Sequence, residues 1–293
     1  PLTDHKNAIS YQEINELLLG LSLSIYTPSS YILDSRKSKY ASLNHEGKNR
    51  LTQQGREQGI YRLMRVNLLK RLESSVHSFR LTVQRIQKQI DATLTKIDHY
   101  DPNAVMELTD LTNAADFDAD DLENDLLTVG KKVRIALEDM DYIRWRDSLQ
   151  GDANTLALLL TMIEDITPAH DCKLQMLLET ITEKIEKPIN PGNKKVLIFT
   201  AFSDTAEYLY ENVSTAVKAK FGLNTALVTG SVEGRSTIPK FKADLNNVLT
   251  CFSPVSKDKA ALMPDAPEID ILIATDCISE GQNLQDCDEM INY

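Results

Sequence analysis

The sequence predicts an α/β protein in which helical hairpins come first and a parallel sheet with flanking helices follows. Three observations carry this expectation. From about Tyr61 to His99, Leu68, Leu72, Val76, Phe79, Val83, Ile86, Ile90, Leu94 and Ile97 recur at spacings of three and four, the apolar stripe of a long amphipathic helix. After Pro188 the period changes to short, continuous, β-branched runs, the pattern of strands buried on both faces. Those runs alternate with helical stretches, and strand–helix–strand–helix–strand means parallel pairing through right-handed crossovers.

Taken in order, residues 1–60 are a weakly patterned connecting segment. "INELLLGLSLSIYTPSSYIL" reads as a short apolar helix followed by a Pro-punctuated extended stretch, and "NHEGKNRLTQQGREQG" reads as loop. The long helix ends at Asp101-Pro102, because the residue before proline is pushed out of the helical region. An acidic loop with a turn of helix follows. A second helix is expected from about Asp121 to Leu149, with Val133, Leu137, Met140 and Ile143 on one side. Gly151 is read as a break and Asp152 as the cap of a further helix, "ANTLALLLTMIEDI". "DCKLQMLLETITEKIEK" turns Leu174, Leu177, Leu178, Ile181 and Ile185 inward. Residues 61–187 thus form a helical insertion of packed hairpins.

The sheet domain is expected over 188–293. "KKVLIFTAF", "NTALVTG" and "DILIAT" are its strands and "EMINY" begins a fourth. A helix from Asp204 to Phe221 starts at a Ser203 cap, and "RSTIPKFKAD" is helical at least in part.

Composition restricts the function classes. An apolar content of 42% and a charged content of 26% are ordinary for a globular chain. No apolar run approaches the roughly 18 residues of a membrane span, and "PLTDHKNAIS" carries no signal-peptide pattern. Cys172, Cys251, Cys277 and Cys287 lie far apart without a Cys-x-x-Cys pair, so a reducing cytoplasm is the expected compartment. The net charge of −11 argues against a surface coated for nucleic acid, yet charge is uneven. Between Tyr61 and Ile90, Arg62, Arg65, Lys70, Arg71, Arg80, Arg85 and Lys88 stand against a single acid, Glu73, whereas 101–125 holds nine acids and no Lys or Arg. The acidic run reads as a solvated loop.

No Gly-x-x-x-x-Gly-Lys-Ser/Thr loop is present, so a self-contained nucleoside triphosphatase is not encoded. Gly-x-Ser-x-Gly is absent, and His5, His45, His77, His99 and His170 are scattered. What remains are polar clusters at carboxyl ends of strands, where parallel sheets bind ligands: Thr200 to Ser203, Thr229-Gly230-Ser231, and Thr275-Asp276 through Ser279. Small donors of this kind grip phosphate oxygens without reading bases. Helix caps and strand-end turns use the same residues, and on the residues alone both readings stand.

The stretches "KVLIFTAFSDTAEYLYENV", "LVTGSVEGRSTIPKF" and "IDILIATDCISEGQNLQDCDEMINY", in that order, resemble the second RecA-like domain of superfamily 2 helicase-type ATPases. The Swi/Snf-related branch is the most similar, above all its bacterial RapA (HepA) kind. "MRVNLLKRLESSVHSFRLTV" resembles the insertion that precedes that domain. The likeness covers about 60–100 and 171–293, with the first stretch as motif IV and the last as motif V.

The resemblance implies a partial RecA-like sheet and a nucleic-acid site at Thr200, Ser203, Gly230, Thr275, Asp276 and Ser279. It implies that Glu280, Gly281, Gln282 and Asn283 face ATP, whose Mg2+ and phosphates are held mainly by a first RecA-like domain. Asn283 stands where many relatives carry Asp, which removes a carboxylate contact to ribose, although an amide still donates and accepts. The family continues after "INY" to a motif VI with arginines, so the chain reads as a piece of a longer enzyme, inactive alone. The expected function is the second motor lobe of an ATP-dependent translocase on duplex DNA. The competing expectation is a non-enzymatic module that docks a protein through its helical hairpins.

Overall fold

The structure, a computed structural model, describes residues 11–44, 53–99, 105–107, 134–230, 233–275, 278 and 282–293. It is a mixed α/β protein whose contacts divide it into two compact units. The first holds residues 11–73 and Phe79–Asp165, the second Ile166–Tyr293 with Ser74–Ser78.

The first unit begins with α1 (Tyr11–Gly20), followed by 3-10 turns at Ser24–Tyr26, Pro28–Tyr31 and Asp34–Asn44. Then come α2 (Gln53–Ser74), α3 (Val76–Asp98), the antiparallel pair β1 (Val105–Glu107) and β2 (Arg134–Ala136), and α4 (Tyr142–Ile163). Every residue of the predicted apolar stripe, Leu68 to Ile97, is buried. The helix is not continuous, however. It breaks at Ser75, whose Oγ accepts from the His77 amide at 3.2 Å and so caps a new helix. The start differs as well: Gln53 to Gly59, expected as loop, is the first part of α2.

The second predicted helix needs a larger correction. Its first half lies outside the described residues. Residues 134–139 are a strand and a 3-10 turn, and Asp141 starts the real helix, accepting from the Arg144 amide at 3.2 Å. That helix, α4, runs through Gly151 without a break. Asp152 is therefore no cap. Its carboxylate accepts from the amides of Ser22 (2.7 Å) and Ser24 (2.8 Å) and from the Ser24 hydroxyl (2.9 Å). Those bonds fix a turn in which Leu23 takes a left-handed φ of 45°, a conformation that costs a non-glycine residue about 1–2 kcal/mol. Trp145, also on α4, closes the same turn by donating from Nε1 to the Ser24 carbonyl at 3.0 Å. Helix propensity disfavours Gly151 by about 1 kcal/mol; burial of Trp145, Leu149, Leu156 and Leu159 outweighs it.

In the second unit, α5 (Cys172–Glu186) leads to β3 (Val196–Phe199), α6 (Ser203–Phe221), β4 (Thr225–Val228), a two-residue β5 (Arg235–Ser236), α7 (Leu245–Phe252), α8 (Lys259–Leu262), β6 (Ile271–Ala274) and β7 (Met290–Asn292). The sheet order is β5-β4-β6-β3-β7. β4, β6, β3 and β7 are parallel, and β5 is an antiparallel edge on β4. Both faces are covered, which explains the continuous apolar strands. Val196, Ile198, Leu227, Ile271 and Ile273 pack with α5 and α6. Leu197, Ala226, Val228, Leu272 and Ala274 pack with α7 on the other side.

Two local expectations fail here. "RSTIPKFKAD" is not helical: it supplies β5 and then turns, with Lys240 at φ 57°, until Asp244 caps α7 through the Asn247 amide at 3.0 Å. Ser203 is the first residue of α6 rather than its cap, which is Phe202 and offers no side-chain bond. The far end of α6 is conventional, with Gly222 at φ 71° donating back to the Lys218 carbonyl at 3.0 Å.

Candidate functional site

The strand order creates a switch point. From β3 the chain leaves toward β4, past β6; from β6 it leaves in the opposite direction, past β3, to β7. Ligands of open α/β sheets sit at the carboxyl ends of two such neighbouring strands. Here those ends are Thr200 and Thr275.

Backbone bonds knit this edge into a row. One residue beyond each strand, the Thr275 amide donates to Val228 O (3.2 Å), the Thr200 amide to Ala274 O (3.0 Å) and the Tyr293 amide to Phe199 O (2.8 Å). Thr200 and Thr275 are therefore placed by the same ladder that pairs β4, β6 and β3. The Thr200 side chain differs from an ordinary strand-end hydroxyl. It is 3% exposed, and its Oγ1 makes no hydrogen bond. The Tyr293 hydroxyl on the same edge is likewise buried and unbonded, and burial pushes its ionisation far upward. A hydroxyl buried without a partner costs about 1–3 kcal/mol.

The other residues predicted for this edge are spread more widely. Ser203 opens α6 and is partly exposed; Gly230 follows β4 by two residues and is exposed. Asp276, Ser279, Glu280 and Gly281 lie outside the described residues, as does Ser231. Ile278 is buried on the α7 side of the core.

Gln282 and Asn283 are exposed and do not join Thr200 and Thr275. The Gln282 Oε1 accepts from Lys257 Nζ at 3.0 Å. Lys257 belongs to the loop after α7, which Asp286 anchors: its carboxylate accepts from the amides of Val255 (2.6 Å) and Ser256 (3.0 Å) and from the Ser256 hydroxyl. This loop lies toward the amino-terminal edge of the sheet, because the Ile269 amide just before β6 donates to Cys251 O at the end of α7. Burial alone would raise the Asp286 carboxyl, but the bonds from Ser256 and Val255 outweigh it and hold it below the ordinary range. Thr275 thus lies at the carboxyl edge and Asp286 at this loop.

Sequence reasoning missed Lys257 and Asp286, since nothing local marks a lysine that acts 25 residues away. The Gly234-Arg235 pair, to which the sequence assigned no role, is placed by the fold. Gly234 is required by space: a Cβ there would stand 2.0 Å from the Ala243 carbonyl oxygen. Arg235 lies over the Tyr210 ring at 4.7 Å and 3.6 Å from Glu211, both on α6.

The basic run is less available than its sequence implied. Arg71 is wholly buried, Arg80 donates to the Ile163 carbonyl, Arg65 to Tyr61 Oη and Leu19 O, and Arg85 to Thr82. Reversing the charge of Arg71 would strike the core, not a surface. Burial raises the thiols of Cys251 and Cys287, which makes them poor nucleophiles. Among the described residues no group of three or more His, Cys, Asp or Glu is arranged to hold a metal ion, and no helix is long and apolar enough to cross a membrane.

The site is thus defined as the switch-point edge of a five-stranded, mostly parallel sheet covered by helices on both faces. No protein-family model matches the chain, and no curated protein matches it.

Proposed function

We propose that the sheet unit is the second, RecA-like motor lobe of an ATP-dependent translocase or helicase-like remodeller of the Swi/Snf-related superfamily 2 branch, working on duplex DNA. The buried, unbonded Thr200 hydroxyl at the switch point carries the proposal. A phosphate oxygen supplies the partner that this donor lacks, and Thr275 stands one ladder step away on β6. Gly230, without a side chain, lets a backbone approach the end of β4. Ser203 adds a hydroxyl at the start of α6, and by resemblance Asp276 and Ser279 support Thr275. Contacts of this type hold a phosphodiester in place without reading sequence.

Glu280, Gly281, Gln282 and Asn283 take the ATP-facing role in this reading. The Lys257 bond orients the Gln282 carboxamide so that its NH2 is turned away from the lysine and is available to an acceptor. By resemblance, Mg2+ and most of the phosphate contacts belong to a first RecA-like lobe. Closure of the two lobes on ATP would displace residues 282–286, which follow Thr275 closely in the sequence. That continuity gives a route from nucleotide to DNA backbone.

The purified chain should bind duplex DNA weakly, with affinity falling steeply as salt rises, because phosphate contacts release counterions. It should hydrolyse no ATP, having no phosphate loop. A flat titration at low salt, or steady ATP hydrolysis by the chain alone, would contradict the proposal.

A further inference from the structure

The break between α2 and α3 is built around side chains of α5 and α6. Thr205, in the first turn of α6 and fully buried, is bonded through Oγ1 to both Ser74 Oγ (3.0 Å) and Ser78 Oγ (2.7 Å). One hydroxyl thus bridges the last residue of α2 and the first turn of α3. Lys173 of α5 donates from Nζ to the Ser74 carbonyl at 2.9 Å, satisfying an acceptor that the end of α2 leaves open. A turn further along α6, the Tyr208 ring stacks on His77 with centroids 4.7 Å apart and planes at 10°. Tyr208 in turn donates to Asp171 Oδ2 at 2.9 Å, and the other oxygen of Asp171 caps α5. The elbow residues Ser74–Ser78 accordingly belong to the compact unit of the sheet.

Burial of these groups is not driven by apolar surface. Ser74, Ser75, Ser78 and Thr205 are all shielded from water, and hydroxyls there are favourable only while hydrogen-bonded. Seating is therefore cooperative: withdrawing the elbow strands Thr205, and losing Thr205 takes a partner from both Ser74 and Ser78. The helix that receives the elbow starts three residues after Thr200.

We infer that the Ser74–Ser78 elbow is a conformational latch whose seating on Thr205 and Tyr208 fixes the first turns of α6, and with them the turn from Thr200 to Ser203. An unlatched elbow frees that turn. The consequence for nucleic acid rests on the function proposed above; the latch itself does not.

Hydrogen exchange of the whole chain, read without any nucleic acid, tests it. Thr205→Val keeps the shape and removes the bridging hydroxyl, and should speed exchange roughly tenfold or more at both 74–79 and 203–208. Thr205→Ser, which keeps the hydroxyl, should restore slow exchange. Ser78→Ala, made from the elbow side, should loosen 203–208 and serves as well if Thr205→Val does not fold. Thr215→Ala, an exposed hydroxyl further along α6, should change neither segment. The latch is overturned if Ser78→Ala leaves 203–208 as protected as before, or if Thr205→Ser behaves like Thr205→Val. Loss of DNA binding in Thr205→Val with the exchange result intact supports both readings. Unchanged binding with faster exchange keeps the latch and removes its consequence for nucleic acid.

Discussion

The two compact units are held together in different ways. The sheet unit rests on the parallel strands β3, β4 and β6, whose apolar side chains fill both faces, sandwiched between α5 and α6 on one side and α7 on the other. The helical unit buries an apolar stripe too and encloses Asn67, Arg71, Glu57, Asp139 and Asp152, whereas the buried charges of the sheet unit, Asp171, Lys184, Lys195 and Lys259, lie outside its strands. Around Asp139, Lys39 and Tyr40 each reach Oδ2 at 2.6 Å and Arg36 stands at 3.5 Å. The hydrogen bond from Lys39, followed by that from Tyr40, holds the Asp139 carboxyl below the ordinary range. Glu57, by contrast, is raised by its burial despite bonds from Ser29 and Gln53. Apolar layers tolerate small shifts; buried charges hold only while every partner is in place.

The largest effect should therefore come from a polar residue of the helical unit. Asp152→Ala strands two amides and a hydroxyl in the 22–24 turn and should cost about 3 kcal/mol, measured by urea unfolding followed through Trp145. A cost well under 1 kcal/mol would remove the contrast between the units. In the sheet unit, Gly234→Ala forces the backbone at Ala243 to move and should cost about 1–3 kcal/mol, visible as a lower midpoint in the same titration. Asp286 brings in pH. Its folded carboxyl is depressed, so the stability it contributes is present above the ordinary carboxylate range and is lost as pH falls below roughly 4. Asp286→Asn should flatten that acid limb, monitored by circular dichroism. The smallest change is Gly151→Ala, where nothing lies within 4 Å of an added Cβ. It should stabilise α4 by about 0.5–1 kcal/mol.

What was legible in the sequence follows the same divide. Strands β3, β4 and β6 and helices α5 and α6 were readable because short apolar runs and three-four spacing are local signals. The breaks were not. Gly151 sits inside a helix because Trp145 and Leu156 bury its flanks, and Asp152 serves a turn 130 residues away in the chain. Ser75 breaks a stripe that is otherwise continuous, because Thr205 and Lys173, far along the sequence, satisfy the broken ends. At the site, the strand-end positions of Thr200 and Thr275 were legible from the pattern. The buried state of the Thr200 hydroxyl was not, nor was the Lys257–Gln282 bond, since each depends on long-range packing. Asn67 makes the same point: its carboxamide is wholly buried with neither atom bonded, and nothing in its neighbourhood along the chain announces that.

Thr200→Val gives the most direct test of the claim that the switch-point edge grips a nucleic-acid backbone. It removes an unbonded buried hydroxyl while keeping the shape of the side chain. If that hydroxyl awaits a phosphate, the variant should be more stable than the parent by about 1 kcal/mol and should bind duplex DNA several-fold more weakly at low salt. A variant that loses stability while binding DNA as well as the parent would contradict the claim.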